Sequence, residues 1–228
     1  MSKISDAIER VQERIAAACK RSGRSQTEVQ LCCVSKFHTK AEVGEAFSAG
    51  LWLFGENRVQ EASEKFTVQE KNGLQVHLIG SLQRNKAKRA VDLFDCIQSV
   101  DRLSLIDELG SLTRDKQNPL PVLLEMHTAE DSKSGFPDID SLLSGIERVF
   151  SHKGLLFQGL MTMAPNSDDE KSIHASFRTV TAAQKAVSAR FPTACPILSM
   201  GMSNDFEMAI EEGSTMVRIG TAIFGDRQ

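Results

Sequence analysis

Short apolar runs alternate with longer stretches of helical periodicity along this chain. The runs cover residues 30–36, 51–55, 75–80, 96–100, 121–127, 157–163, 196–202 and 216–224. Several read as near-continuous Val, Ile, Leu, Cys and Met, the pattern of strands covered on both faces. The stretches between them carry helix signals. Asn57 with Gln60, and Asn204 with Glu207, have the spacing of N-terminal capping boxes. Gly50 after Ala49 and Gly213 after Glu212 stand where helices end. Ahead of the first run, Ile4, Ile8, Val11 and Ile15 recur at helical spacing and predict a helix from residue 2 to about 21. Arg21-Ser22-Gly23-Arg24-Ser25 then reads as a stop and a turn.

Eight strands separated by helices predict an α/β fold, a single (β/α)8 TIM-type barrel with an extra N-terminal helix. A doubly wound Rossmann-type sheet uses the same alternation, but no GxGxxG follows the first run. No linker or low-complexity stretch interrupts the pattern, so one domain over residues 1–228 is expected.

Composition narrows the function classes. Hydrophobic residues make up 41% and charged residues 25% of 228 positions, with a net charge of −3. That balance gives no reason to expect a nucleic-acid partner. The basic run from Gln83 to Arg89 lacks interleaved aromatics and reads as a solvated helix face. No apolar run reaches membrane-spanning length, and the N-terminus carries both signs of charge, so a cytoplasmic protein is expected. The five cysteines, Cys19, Cys32, Cys33, Cys96 and Cys195, show no CxxC spacing and read as small, reduced, buried residues. The histidines have no HExxH spacing, and no metal site is expected. Tyrosine is absent from the chain.

Two residues, a lysine and an arginine, sit in runs that ought to be apolar. Lys36 closes the first run, Leu31-Cys32-Cys33-Val34-Ser35-Lys36. Burial lowers a lysine's pKa and leaves a nucleophilic amine, able to form a Schiff base with a carbonyl compound. The plainer alternative is a stem packed in the strand with its charge in water. Arg218 lies in the last run, where alternation puts Met216, Arg218 and Gly220 on one face. A guanidinium inside a barrel needs an acceptor, either a buried acid or a ring nitrogen of a bound cofactor. In such barrels chemistry collects at the carboxyl ends of the strands, and phosphate is often held after strands seven and eight. Ser203-Asn204-Asp205 opens a predicted helix to about residue 212, Gly220 permits close backbone approach, and Thr221 offers a hydroxyl. Together they predict a phosphate cradle. A capped helix beside a packing glycine is the alternative. Asn57 is explained by its capping box without a ligand, and His77 reads as a satisfied core histidine before a contact.

Read in order, several motifs resemble those of the pyridoxal phosphate homeostasis protein family, over essentially the whole chain. They are Val34-Ser35-Lys36, Phe54-Gly55-Glu56-Asn57 with Val59-Gln60-Glu61, and His77-Leu78-Ile79-Gly80-Ser81-Leu82-Gln83-Arg84-Asn85-Lys86. Ser132-Lys133-Ser134-Gly135, Gly159-Leu160-Met161-Thr162-Met163, Leu198-Ser199-Met200-Gly201-Met202-Ser203 and the stretch from Gly213 to Thr221 complete the set. The resemblance implies an alanine-racemase N-terminal type of barrel that binds pyridoxal 5′-phosphate. It assigns Lys36 to the Schiff base, Ser203, Gly220 and Thr221 to the phosphate, Arg218 to the pyridine nitrogen, and Asn57 to the pocket wall. His77 is carried as a further cofactor contact. Arg58, where many members have tyrosine, and Phe37-His38-Thr39, where Thr-Lys-Pro is common, depart from the family pattern.

The resemblance further implies a protein that buffers or delivers the cofactor inside the cell, with no catalytic residue of its own and with pyridoxal-phosphate-dependent apoenzymes as recipients. A monomer is expected. The alternative is a pyridoxal-phosphate-dependent racemase or related enzyme. Alanine racemases on this barrel add a β-rich domain with a tyrosine base; this chain has no tyrosine and stops just past the eighth run. An arginine at the pyridine nitrogen also weakens the cofactor as an electron sink. A Schiff-base aldolase acting on a phosphorylated sugar is the third reading, and it predicts a colourless protein.

Overall fold

The computed structural model describes residues 2–67, 71, 73–128, 134–192 and 196–225. Cys195, and Ser132 and Lys133 of the fourth motif, lie outside the described residues. The strands are β1 Gln30–Val34, β2 Leu53–Glu56, β3 Gln75–Leu78, β4 Cys96–Val100, β5 Leu120–Glu125, β6 Leu155–Met161, β7 Ile197–Ser199 and β8 Met216–Ile219. They close in sequence order into an all-parallel barrel, with β8 returning to β1 through Gln30↔Met216 and Cys32↔Arg218. The expected barrel is therefore present, and the Rossmann alternative is not.

The helices are α1 Lys3–Arg21, α2 Lys40–Ser48, α3 Val59–Lys65, α4 Ala87–Leu93, α5 Leu103–Thr113, α6 Ile139–Phe150, α7 Glu170–Arg190, α8 Phe206–Glu211 and α9 Thr221–Phe224. The outward faces of the strands and the inward faces of the helices form one continuous apolar layer, from Ile8 in α1 to Ile223 in α9. Inside the barrel, Cys32, Leu53 and Met216 pack as one cluster and Cys96, Leu123 and Met161 as another, both touching Ile197. The lumen is thus filled with side chains, as a small closed barrel requires. Cys19, Cys32, Cys33 and Cys96 are buried and unbridged, as expected. No described helix is long and apolar enough to cross a membrane.

Helix α1 precedes the barrel as expected. Ser2 caps it, with its hydroxyl accepting from the Ser5 amide, and Ile4, Ile8, Val11 and Ile15 are buried. It lies on α8 and α9, with Arg14 bound to Glu207 at 2.7 Å and Arg21 to Glu211 at 2.8 Å. These pairs are half exposed, so the apolar stripe carries most of the docking. Gln83, Arg84, Asn85, Lys88 and Arg89 are exposed while Ala87 and Ala90 are buried, the solvated helix face read from the sequence.

Several boundaries differ from the sequence reading. The first run ends as a strand at Val34, not Lys36, and the eighth ends at Ile219. Ala222-Ile223-Phe224 is helical, with the amides of Ile223 and Phe224 turned back to Gly220 O. A short apolar run cannot reveal which period it will take. Asn57 does not cap α3: the chain stays extended through Arg58, which occupies the cap position without a side-chain bond. Likewise α8 begins at Phe206 behind Asp205, one residue later than a cap at Asn204 would place it.

Candidate functional site

The chain leaves β1 in a turn that carries Lys36. Alternation directs Cys32, Val34 and Lys36 to the barrel interior and Cys33 and Ser35 outward. The amide of His38 closes on Ser35 O at 3.1 Å, with Phe37 at φ 68 in the left-handed region. Phe37 is the sole non-glycine residue there among the described residues, and it is 56% exposed. His38 stacks on Phe224 of α9 with ring centroids 4.3 Å apart, and its Nδ1 lies 3.0 Å from Glu42 Oε1.

The turn opens onto a cavity of about 780 Å³ at the carboxyl ends of the strands. Lys36, Asn57, Ser203, Arg218, Gly220 and Thr221 all line it. Val34 and Ile79 add apolar wall, and Met163 and Met202 stand exposed among its lining residues. Six of the seven residues singled out from sequence thus share one cavity, although they span the chain from β1 to α9. His77 is not among the lining residues. It is buried, with Nδ1 2.8 Å from Gln98 Nε2.

One side of the cavity is built from polar donors. After β7 the chain makes a turn, with the Phe206 amide on Met202 O at 2.9 Å and Asp205 Oδ1 accepting from the Met202 amide at 2.5 Å. The amides of Ser203 and Asn204 have no acceptor among the described residues. Ser203 Oγ accepts from the Ala222 amide at 3.4 Å, joining this turn to the start of α9. The Thr221 amide, first in α9, has no intrahelical acceptor. Backbone amides and two hydroxyls therefore meet in one place.

Two glycines fix the approach of neighbouring strand ends. A Cβ on Gly220 would sit 2.9 Å from Val34 O and 3.2 Å from Val34 Cβ. The space Gly220 leaves is occupied by β1, two residues before Lys36. The packing role weighed for this glycine from the sequence is thus present beside the cavity. A Cβ on Gly80 would fall 2.3 Å from Asn57 O, so the exit of β3 presses against the residue that lines the wall.

Arg218 is buried where the barrel interior meets the cavity. Its Nη1 donates to Ser199 O at 2.6 Å and Ser199 Oγ at 2.8 Å, and Nη2 to Thr162 O at 2.7 Å. Carbonyl and hydroxyl oxygens are its partners, where the sequence reading asked for an acid or a cofactor. Burial pulls the guanidinium below its usual range, while the Asp205 and Glu125 carboxylates act in the opposite sense. Both acids are pushed up by burial. Ser199 Oγ donates in turn to Gln98 Oε1 at 2.6 Å, and Gln98 reaches His77. A hydrogen-bonded line thus runs from Arg218 to His77. Gln98 and Ser199 were missed from sequence; the signal was a polar residue inside an otherwise apolar strand.

Residues 7–228 match the family model of the alanine racemase N-terminal domain. The chain is 38% identical over 234 residues to the pyridoxal phosphate homeostasis protein of Escherichia coli (strain K12), covering 100% of this chain and 98% of that one. It is 35% identical over 221 residues to the protein of the same name from Aquifex aeolicus (strain VF5), covering 97% of each. Among solved structures it is similar to PipY of Synechococcus elongatus PCC7942 with PLP bound. The TM-score is 0.81 at 34% identity, over 94% of this chain and 100% of that one. The chain belongs to the pyridoxal phosphate homeostasis protein family, on the alanine racemase N-terminal barrel.

Proposed function

We propose that this protein binds pyridoxal 5′-phosphate through Lys36 and holds it for intracellular buffering or delivery, without turning over an amino acid. The observation that carries the reading is the convergence of Lys36, Arg218 and a set of amide and hydroxyl donors on one cavity. The donor set fits the group. Ser203, Asn204 and Thr221 offer backbone amides to a phosphate, with two hydroxyls beside them. Val34 and Ile79 offer apolar surface to a ring, and Asn57 lines the wall. The cofactor, when bound, supplies a carbonyl carbon that condenses with a primary amine. Lys36 is the residue placed to provide that amine. His77 contributes through Gln98 and Ser199 rather than by touching the ligand.

The absence of turnover rests on two features. A racemase needs an acid or base on each face of the substrate carbon, and the chain contains no tyrosine to serve on the face opposite Lys36. Arg218, aligned by family resemblance with the pyridine nitrogen, disfavours protonating that ring. The names of the relatives, pyridoxal phosphate homeostasis proteins, support handling over catalysis. The test incubates loaded protein with L- and D-amino acids, following racemisation, transamination and elimination, and in parallel times cofactor transfer to an apoenzyme. Transfer without turnover is expected. Turnover at about 1–10³ s⁻¹, the range of ordinary enzymes, would overturn the reading in favour of a racemase or related enzyme.

A further inference from the structure

A buried ionic cluster lies on the other side of β1 from the cavity, and every strand of it leads to the residues flanking Lys36. Lys65, the last residue of α3, is only 8% exposed. Its ammonium donates to Glu56 Oε1 at 2.8 Å, Glu61 Oε1 at 2.7 Å and Ser35 O at 2.5 Å. Three donors meet three acceptors, the full capacity of the group. Ser35 Oγ donates to the same Glu56 oxygen at 2.7 Å. Glu61 also accepts the backbone amide of Phe37.

This arrangement is expensive. Glu56 is completely buried, and its Oε2 has no hydrogen-bond partner among the described residues. Burial pushes the Glu56 carboxyl up despite the bonds from Lys65 and Ser35. Taking such charges out of water is repaid only with complete hydrogen bonding, and apolar residues of the same volume often stabilise as well or better. Attachment of α3 does not need the cluster either, because Val59 and Ala62 of that helix are already buried in the apolar layer. What the cluster does have is an address. It holds Ser35 by both its carbonyl and its hydroxyl, and it holds the Phe37 amide in a left-handed conformation unfavourable for a residue with a Cβ.

We propose that Lys65, with Glu56 and Glu61, is a positioning group for Lys36. It pins the residues on either side from outside the barrel so that the Lys36 amine is delivered into the cavity. The proposal rests on the cofactor reading above and deepens it. Glu61 is partly exposed and lies on a helix, where alanine is well tolerated. Glu61→Ala removes the acceptor for Phe37 and leaves Lys65 with Glu56 and Ser35, whereas Glu61→Gln keeps an acceptor oxygen in the same place. Lys65→Met removes the hub.

The experiment compares two ligands in wild type and these variants. Pyridoxal phosphate uses both the phosphate donors and the lysine bond. Pyridoxine phosphate has the same ring and phosphate but a hydroxymethyl group in place of the aldehyde, so it uses the phosphate donors alone. Glu61→Ala should lower pyridoxal phosphate affinity about tenfold, the scale of one lost hydrogen bond. It should also slow formation of the borohydride-trappable bond to Lys36. Pyridoxine phosphate affinity should stay within about twofold of wild type, and Glu61→Gln should restore the aldehyde ligand. Lys65→Met should reproduce the split more strongly if it folds; if it does not, the Glu61 pair decides. Equal losses for both ligands, or no loss for either, would overturn the proposal. Failure of wild type itself to trap the cofactor on Lys36 would instead overturn the cofactor reading and this proposal together.

Discussion

The line from Arg218 through Ser199 and Gln98 ends on His77, and that histidine makes stability depend on pH in a calculable way. His77 is buried, and burial holds its pKa down from 6.5 to about 4. The Asp95 carboxylate pulls in the opposite direction without overcoming it. The unfolded chain therefore takes up a proton near pH 6.5 that the folded barrel refuses until about pH 4. The contribution is fully present above pH 6.5 and is lost as pH falls toward the folded value. Each tenfold difference in proton affinity is about 1.4 kcal/mol, so about 3 kcal/mol disappears by pH 4, against a total of roughly 5–15 kcal/mol for a typical protein. Glu56, Glu125 and Asp205, all pushed up by burial, change stability in the opposite sense as pH falls. A bare pH profile would mix the two. His77→Asn keeps an acceptor for Gln98 Nε2 and cannot titrate, so its difference from wild type isolates the imidazole. Urea unfolding followed by far-ultraviolet circular dichroism, at steps from pH 7.5 to 4, gives that difference. It should shrink by about 3 kcal/mol across the window. A difference constant with pH would refute a buried, neutral His77.

Two further outcomes follow from the phosphate donors and the strand contact beside them. Thr221→Val removes a hydroxyl but not the backbone amide, and a charge-assisted hydrogen bond is worth about 1.5–3 kcal/mol. Titration calorimetry should find pyridoxal phosphate bound about tenfold or more weakly, and an unchanged affinity would remove Thr221 from the site. Gly220→Ala brings a Cβ to within 2.9 Å of Val34 O, so β1 must yield next to Lys36. Both melting temperature and cofactor affinity should fall. A variant melting like wild type would contradict the close approach of β1 and β8.

The barrel was legible because eight short apolar runs between helical stretches, several of them near-continuous, have few homes other than a closed parallel sheet wrapped in helices. The site residues were legible where a charge or a glycine broke an apolar run, as at Lys36, Arg218 and Gly220. Boundaries were less so. The final run reads the same whether Ala222-Ile223-Phe224 is strand or helix, and only the turn of the chain at Gly220 decides it. The capping-box spacing at Asn57 and Gln60 was a true pattern without the geometry, because the chain stays extended through Arg58. Least visible was the Glu56–Lys65–Glu61 cluster. Glu61 and Lys65 have the spacing of an ordinary surface pair on a helix, and nothing local says that Glu56 of β2 and Ser35, just past β1, close over them. Such contacts are products of barrel closure rather than of sequence neighbourhood.

The central claim is that Lys36 carries the cofactor, and one measurement addresses it directly. Purified protein is mixed with pyridoxal phosphate, the visible spectrum is recorded, borohydride is added, and the reduced protein is digested and mapped by mass. Wild type should gain a visible band that borohydride bleaches, with the mass of the reduced cofactor on the peptide containing Lys36. Lys36→Ala, whose missing side chain lies at the cavity and not in the apolar core, should fold with a wild-type melting temperature and stay colourless. A visible band of wild-type strength in Lys36→Ala, or a cofactor mass mapped to another lysine in wild type, would contradict the account.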